Sequence, residues 1–418
     1  MSKTKPKQFV ISKQLVVAAY KLVKANAGAA GVDQQTLQDF DLNLKDNLYK
    51  IWNRMSSGNY FPPAVRAVPI PKKTGGERIL GIPTVSDRIA QMVVKLTFEP
   101  LVEPHLHPDS YGYRPSRSAL DAVGVTRQRC WKYDWVLEFD IKGLFDNIDH
   151  DLLMKAVRKH TDNRWVILYI ERWLKAPMQM PDGTSTARTK GVPQGGVISP
   201  VLSNLFLHYT FDMFMSRNFP TVKWCRYADD GVVHCKTESE ALHIRDVLEK
   251  RFNECQLELH PEKTKIIYCK DGKRKGEYPN TCFTFLGYDF RRRMTVNSRN
   301  GSRFLNFTPA VSKSALKSMR SKIRGYKIRR RSQYKLEDIA KQLNPILNGW
   351  FTYYGRYTPS AMRGFQSYFD SKLVSWAMRK YKKLRGRKVR ASHFIKAIKE
   401  ENPNLFTHWR NDKHVKVA

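Results

Sequence analysis

The sequence predicts an α+β chain whose strands fall within its first 290 residues and whose remainder is helical and strongly basic. Three observations carry this. Short runs rich in β-formers alternate with longer amphipathic stretches as far as about Phe290. Beyond about Phe304, apolar residues recur at spacings of three and four (Ile339, Leu343, Ile346, Leu347, Trp350), with Lys and Arg filling the remainder. The charge shifts at the same place: from Arg291 to Ala418 there are 32 Lys/Arg against 6 Asp/Glu, most of the chain's formal charge of +36.

A charge of that size repels itself unless a polyanion neutralises it, which puts nucleic acid first among partners. With 418 residues, 41% of them hydrophobic, the chain can bury a sizeable core, so wholesale disorder is excluded. No apolar run approaches the length of a membrane helix, and no signal peptide is legible, so no membrane partner is expected. The six cysteines form no Cys-x-x-Cys pair and no zinc spacing with histidines; buried free thiols in a reducing cytoplasm are expected.

Taken in order, residues 1 to about 60 read as helices broken at Gly28-Ala-Ala-Gly31. The Pro- and Gly-punctuated text from Tyr60 to Pro83 reads as a basic β-hairpin with its turn at Thr74-Gly-Gly. Helices are expected over about 84–98 and 116–132, a strand over Trp135–Ile141, and a helix opening at Asp149 or His150. A glycine-rich loop, Lys190 to Gly196, leads into one long helix over about 200–217. Lys223 to Lys236 reads as strand, tight turn, strand, with Asp229-Asp230-Gly231 at the tip. A helix over 238–255 is followed by strand-like 257–259, 265–268 and 282–290, and helices fill 310–328, 336–355 and 360–384. A junction is placed at 291–308, separating a first part (1–290) from a helical domain (309–390) and a short basic tail (391–418) that resembles a DNA-binding segment.

Two adjacent carboxylates at a hairpin tip are a poor structural choice unless a divalent cation sits between them and a third carboxylate. Asp-Asp-Gly is also ordinary turn chemistry, and alone it decides little. Asp140 changes the balance: it ends an apolar strand, so a shared sheet could bring it beside Asp229. Asp140, Asp229 and Asp230 are thus a candidate two-metal set for in-line phosphoryl displacement, suited to Mg²⁺, with Mn²⁺ as a substitute.

At this point the residues carry a resemblance. Tyr-Ala-Asp-Asp (Tyr227–Asp230), preceded by FDIKGLFDNI (Phe139–Ile148) and GVPQGGVISPVLSNLF (Gly191–Phe206), resembles the palm of reverse transcriptases. IPKKTGGERILGIPTVSDRIAQ (Ile70–Gln91), YGYRPSRSALDAV (Tyr111–Val123), HPEKTK (His260–Lys265) and FTFLGYDF (Phe283–Phe290) are similar to successive blocks of bacterial group II intron reverse transcriptases. LNPILNGWFTYYGRY (Leu343–Tyr357) resembles their maturase segment, which forms the thumb.

The resemblance implies a right-hand polymerase, with fingers and a palm built on an antiparallel sheet, followed by an α-helical thumb. Its substrates would be deoxynucleoside triphosphates, an RNA template and a DNA primer, with intron RNA as a further partner. Asp140, Asp229 and Asp230 would hold the metals, and Lys263 would protonate the leaving pyrophosphate. Lys72 and Arg78 would grip the triphosphate; Ile141, Gln194 and Gly195 would line the nucleotide site. Phe145 would exclude a ribose 2′-hydroxyl, although a Phe after a strand is more often core. Arg114 would touch nucleic acid, or serve a structural salt bridge.

Arg329, Arg330, Arg331, Lys380, Lys382, Lys383 and Arg385 would hold nucleic-acid phosphates, because solvated helix faces normally mix charge signs and these do not. Trp350, Tyr353 and Tyr354, at helical spacing, read as core. No Cys follows Cys282, so the HNH nuclease of many group II intron proteins is not expected. Two alternatives stay open at this stage: a free-standing relative serving defence or repair, and an RNA-binding maturase without polymerase activity.

Overall fold

The computed structural model describes residues 7–71, 76–297 and 300–414, folded as two compact units. The first comprises residues up to 118, 139–231 and 242–264; the second comprises 119–138, 232–241 and the chain from 265 onward.

In the first unit, the N-terminal helix Lys13–Asn26 starts where the Ser12 hydroxyl accepts the Leu15 N–H at 3.1 Å. It buries Val16, Ala19, Tyr20 and Val23, one face at helical spacing. The long helix Val85–Val102 is capped by Thr84 in the same way. Its Arg88 reaches back to the turn at 27–31, donating to the carbonyls of Ala27 (3.0 Å) and Ala29 (3.1 Å). Strands β1 (Val65–Pro71) and β2 (Glu77–Ile82) pair antiparallel with Ile70 opposite Arg78, giving the hairpin that the sequence predicts.

Strand β3 (Trp135–Asp140) ends at the first candidate carboxylate. The two-residue strands β4 (Met178–Gln179) and β5 (Ser185–Thr186) widen the hairpin into a sheet of order β2-β1-β4-β5. Strands β6 (Lys223–Tyr227), β7 (Asp230–Cys235) and β8 (Lys265–Tyr268) join β3 in a sheet of order β6-β7-β3-β8. Residues 257–259, read from sequence as a strand, make only an isolated bridge, Leu259 to Ile141.

The long helix expected after the glycine-rich loop is interrupted. Residues Ser199–Leu207 are α-helical, His208–Asp212 form a π-turn, and Met213–Asn218 resume the helix. The wide turn sets Asp212 beneath β6, where a strict α-helix would have carried it elsewhere.

In the second unit, β9 (Cys282–Phe285), β10 (Tyr288–Val296) and β11 (Arg303–Val311) form an antiparallel sheet of order β11-β10-β9. The expected junction at 291–308 is therefore corrected: most of it is a β-hairpin, paired from Tyr288–Val311 to Val296–Arg303. Its arginine-rich text hides the alternation, but Asn300-Gly301, with Gly301 at φ +69°, is a hairpin-turn signal. Helices Lys313–Gly325, Leu336–Tyr354, Arg363–Lys380, Lys388–Glu401 and Thr407–His414 complete the unit. Leu343, Leu347, Phe365, Phe369 and Trp376 sit in one core, with Trp350 and Tyr354 packed against it, so the aromatic stripe is structural as expected. Among the described residues no helix is long and apolar enough to cross a membrane.

Candidate active site

Two strand ends in the first unit build the site. The Phe139 side chain lies between Phe211 (ring centroids 5.0 Å apart) and Phe252 (5.9 Å). Gly231 faces this ring so closely that any Cβ would overlap it. That contact sets β3 against β7 and carries the alternating neighbours, Asp140 and Asp230, to the other face together. Ala228, at the hairpin turn, has φ +55°, which places Asp229 in the turn and makes Asp230 the first residue of β7.

The backbone beyond Asp140 continues beside residues 258–260. The Asp140 carbonyl accepts from His260 N–H at 2.8 Å, and Lys142 N–H donates to the Glu258 carbonyl at 2.9 Å. The turn that follows delivers Lys263, whose Nζ lies 2.6 Å from Asp140 Oδ2.

The electrostatics follow from crowding. Burial, then the charge of Asp140, raises the Asp229 carboxyl above its usual range, partly offset by Lys263 and Arg226. The Asp230 carboxyl is pushed up to about 7 by crowding from surrounding protein, then by Asp229 and Asp140, although solvent still reaches the residue. The Lys263 ammonium is held above its ordinary value by its hydrogen bond to Asp140.

Hard oxygen donors with excess negative charge fit a hard divalent cation. Among the described residues, however, no group of three or more His, Cys, Asp or Glu side chains stands ready-made around a metal position. The lysine takes one side of Asp140.

Around this centre the predicted nucleotide residues interlock. Gly143, at φ +56°, opens the helical turn Leu144–Asn147 that holds half-buried Phe145. The Phe145 carbonyl accepts Val192 N–H at 2.6 Å, and Gly191 N–H donates to the Ile148 carbonyl at 2.7 Å. Gly191 passes so close that a Cβ would lie 2.7 Å from the Phe145 carbonyl oxygen. The Gln194 carbonyl accepts Gly81 N–H from β2 at 2.7 Å, and its side chain points toward Asp146 (3.4 Å). Exposed Gly195, at φ +115°, lies against the Gly81 carbonyl, where a Cβ would come within 2.6 Å. Ile141 is buried, while Arg78 is exposed on β2. Lys72 lies outside the described residues.

Two supports were missed by sequence reasoning. Asp87 is buried and accepts from Tyr60 Oη (2.9 Å), Trp173 Nε1 (2.7 Å) and Gln91 Nε2 (3.0 Å); burial raises its carboxyl to about 6. Gln91 Oε1 in turn accepts Val197 N–H at 2.7 Å, fastening the glycine-rich loop to the long helix. Arg226 and Asp212, both fully buried, pair through Nε–Oδ1 (2.8 Å) and a terminal nitrogen to Oδ2 (2.7 Å). Arg226 also donates to the Ala228 carbonyl at 3.2 Å, directly beneath the turn that carries Asp229. The signal for both was polar residues inside apolar text: Asp87 and Gln91 one helical turn apart, and Arg226 within a strand.

Several expectations are corrected. The Arg114 side chain is only 5% exposed, bound to Glu103 and to the carbonyls of His107 (2.6 Å) and Ser110 (2.8 Å), so it anchors a turn and does not face nucleic acid. Arg331 donates to the Tyr326 carbonyl (2.9 Å) and Gln342 Oε1 (2.5 Å). Lys380 Nζ caps the carbonyls of Ser332 (2.9 Å) and Tyr334 (2.8 Å). Both are internal ties of the helical unit. Arg329, Arg330, Lys382, Lys383 and Arg385 are exposed. Lys263 is bound to Asp140, and that hydrogen bond holds its ammonium above its ordinary value.

A sheet that brings strand-end carboxylates together, with a glycine-rich loop packed against the β1–β2 hairpin, fits the template-copying polymerase palm that the motifs resemble. The chain belongs to the reverse transcriptase (RNA-dependent DNA polymerase) family, whose model matches residues 70–290, with a group II intron, maturase-specific domain over 316–394. Its architecture is mixed α/β, with antiparallel sheets followed by a helical C-terminal region. It is 34% identical over 312 residues to Protein YkfC of Escherichia coli (strain K12), covering 64% of this chain and 76% of that one. The Group II intron-encoded protein LtrA of Lactococcus lactis subsp. cremoris is 26% identical over 386 residues, 76% of this chain and 62% of LtrA. The Putative COX1/OXI3 intron 1 protein of Saccharomyces cerevisiae is 25% identical over 358 residues, 69% and 41% of the two chains. The match thus spans less than two thirds of the latter two relatives' own length.

Proposed function

We propose that the chain copies an RNA template into DNA, extending a primer 3′-hydroxyl with deoxynucleoside triphosphates, and that it also binds group II intron RNA to assist splicing and retromobility. The observation that carries the first part is the convergence of Asp140, Asp229 and Asp230 in a crowded site whose nearest compensating cation is Lys263. Asp140, Asp229 and Asp230 would hold magnesium, or manganese in its place. The metal supplies positive charge to the attacking and leaving oxygens of the in-line displacement.

The chain's own residues do the rest. The primer 3′-oxygen bonds to the α-phosphorus, the bond to the bridging oxygen breaks, pyrophosphate leaves, and the hydroxyl proton passes to water. Lys263 fixes the direction of the Asp140 carboxylate through its hydrogen bond. Arg78, with Lys72, would grip the triphosphate as a charged fork and a point charge. Phe145 would stand against the sugar, while Ile141, Gln194 and Gly195 would line the base and sugar side of the site.

The exposed cations Arg329, Arg330, Lys382, Lys383 and Arg385 support the RNA-binding part, since they have few acidic neighbours and a sequence-independent reader needs phosphate contacts. Primer extension on an RNA template, with deoxy- and ribonucleotides in turn, tests the reading on wild type and Asp229→Ala. Extension by wild type that is lost in Asp229→Ala is expected; retained extension in the variant overturns the metal assignment.

A further inference from the structure

Residues 109–113 run beside the Asp229–Asp230 hairpin, joined to it by an isolated parallel bridge between Ser110 and Arg226. Arg226 N–H donates to the Asp109 carbonyl at 3.0 Å, and Tyr111 N–H donates to the Arg226 carbonyl at 2.8 Å. Gly112 then passes the turn so closely that a Cβ would overlap Ala228 N and lie 3.0 Å from the Tyr227 carbonyl carbon. Its carbonyl accepts from Asn204 Nδ2 at 2.7 Å.

At Tyr113 the backbone turns to φ +56°, a conformation unfavourable for any residue with a side chain. Such strain persists only where the surroundings over-determine it, and it gathers at functional sites. Here the surroundings do so twice. Gly112 is locked against the catalytic turn, and buried Arg114 pins the far side through Glu103, His107 and Ser110.

The product of this fastening is one aromatic ring. Tyr113 is 53% exposed, with its ring centroid 6.3 Å from that of Tyr227 and tilted 45° to it. It stands within the field of Asp229, Asp230 and Arg78, the centre where the substrates of the proposed reaction meet. A large ring held by strain, half in solvent, contributes little to a core. It presents an apolar face suited to a planar partner.

We propose that Tyr113 is a nucleobase platform, its ring stacking on a base at the growing end of the template–primer or on the base of the incoming nucleotide. The inference rests on the polymerase reading above. It concerns the ring, because a planar apolar face recognises any base and matches a copying enzyme's indifference to sequence.

The test compares Tyr113→Phe, which keeps the ring, with Tyr113→Gly, which removes it and is at ease at positive φ. Binding of a recessed RNA–DNA template–primer is followed without nucleotide, and KM for deoxynucleotide is measured in extension. Thermal melting checks that Tyr113→Gly is as stable as wild type. Loss of one stacked base predicts roughly ten-fold weakening in Tyr113→Gly and near wild-type behaviour in Tyr113→Phe. Weakening in the template–primer Kd assigns the base to the duplex end; a raised KM alone assigns it to the nucleotide. Tyr113→Gly matching wild type in both measurements overturns the proposal, as does Tyr113→Phe failing equally, which would implicate the hydroxyl. A wild-type chain that extends no primer at all refutes the polymerase reading instead, while the binding arm still judges the ring.

Discussion

Lys263 Nζ lies 2.6 Å from Asp140 Oδ2, so the ammonium and the strand-end carboxylate form one charge unit within the carboxylate cluster. The lysine also lowers the proton affinity of Asp229 and Asp230. Removing it in Lys263→Met deprives three crowded carboxylates of their compensating charge. The acidic limb of the pH–rate profile of primer extension should then move to higher pH, by roughly half a unit to one unit. An unmoved limb would show that the lysine does not act on these acids.

The raised Asp230 carboxyl predicts a stability effect of definite sign. Its value is about 7 in the folded chain and 3.8 when unperturbed, so the folded state binds the proton more tightly. Its contribution is therefore fully favourable only below about 3.8 and is lost progressively as pH rises from there to about 7. Asp230→Asn should melt higher than wild type at pH 8, and this advantage should shrink steadily as pH falls toward about 4. Added Mg²⁺ should raise the melting temperature of wild type at pH 8 and do so less in Asp230→Asn, a metal readout independent of turnover. Equal shifts in the two proteins would count against metal binding at Asp230.

Arg226 and Asp212 are buried partners, and breaking such a pair leaves an uncompensated charge in the interior. Asp212→Ala should lower stability by about 3–5 kcal/mol in denaturant titration, as measured for other buried pairs. Asp212→Asn, which keeps an acceptor for the guanidinium, should lose less. Equal losses would mean that the charge is not what matters.

Phe145 is tied through its carbonyl to Val192 and stands half-buried beside the nucleotide loop. Phe145→Val should admit ribonucleotides, lowering the preference for the deoxy sugar by about ten-fold or more, on the order of 1.4 kcal/mol. The ratio of kcat/KM for the two sugars measures it; an unchanged ratio removes the gate.

The cations of the helical unit divide into two kinds. Neutralising exposed Arg329, Arg330, Lys382, Lys383 and Arg385 should flatten the salt dependence of RNA binding by about 0.7–0.9 in log–log slope per lost phosphate contact. Arg331→Ala and Lys380→Ala should chiefly lower the melting temperature, because their donors serve carbonyls and an amide of their own fold. Salt titrations and melts on the same variants separate the two groups.

The division between what the sequence showed and what it hid has a physical cause. Asp140 and Asp229-Asp230 were legible because carboxylates in apolar strand text have few structural uses. Arg114, Arg331 and Lys380 were misread because a sequence displays a charge without its partner, and theirs are carbonyls from other segments. The β10–β11 hairpin was hidden by arginines that occupy exposed strand positions as readily as helix faces. Arg226 escaped because its partner depends on a π-turn, a departure of one residue that no periodicity announces.

The loop from Gly191 to Val197 is fastened at once to the carbonyl behind Phe145, to Gly81 of the β1–β2 hairpin and to Gln91. A change that cuts any one of these ties is therefore felt at the other two, because a single short stretch of backbone carries all three.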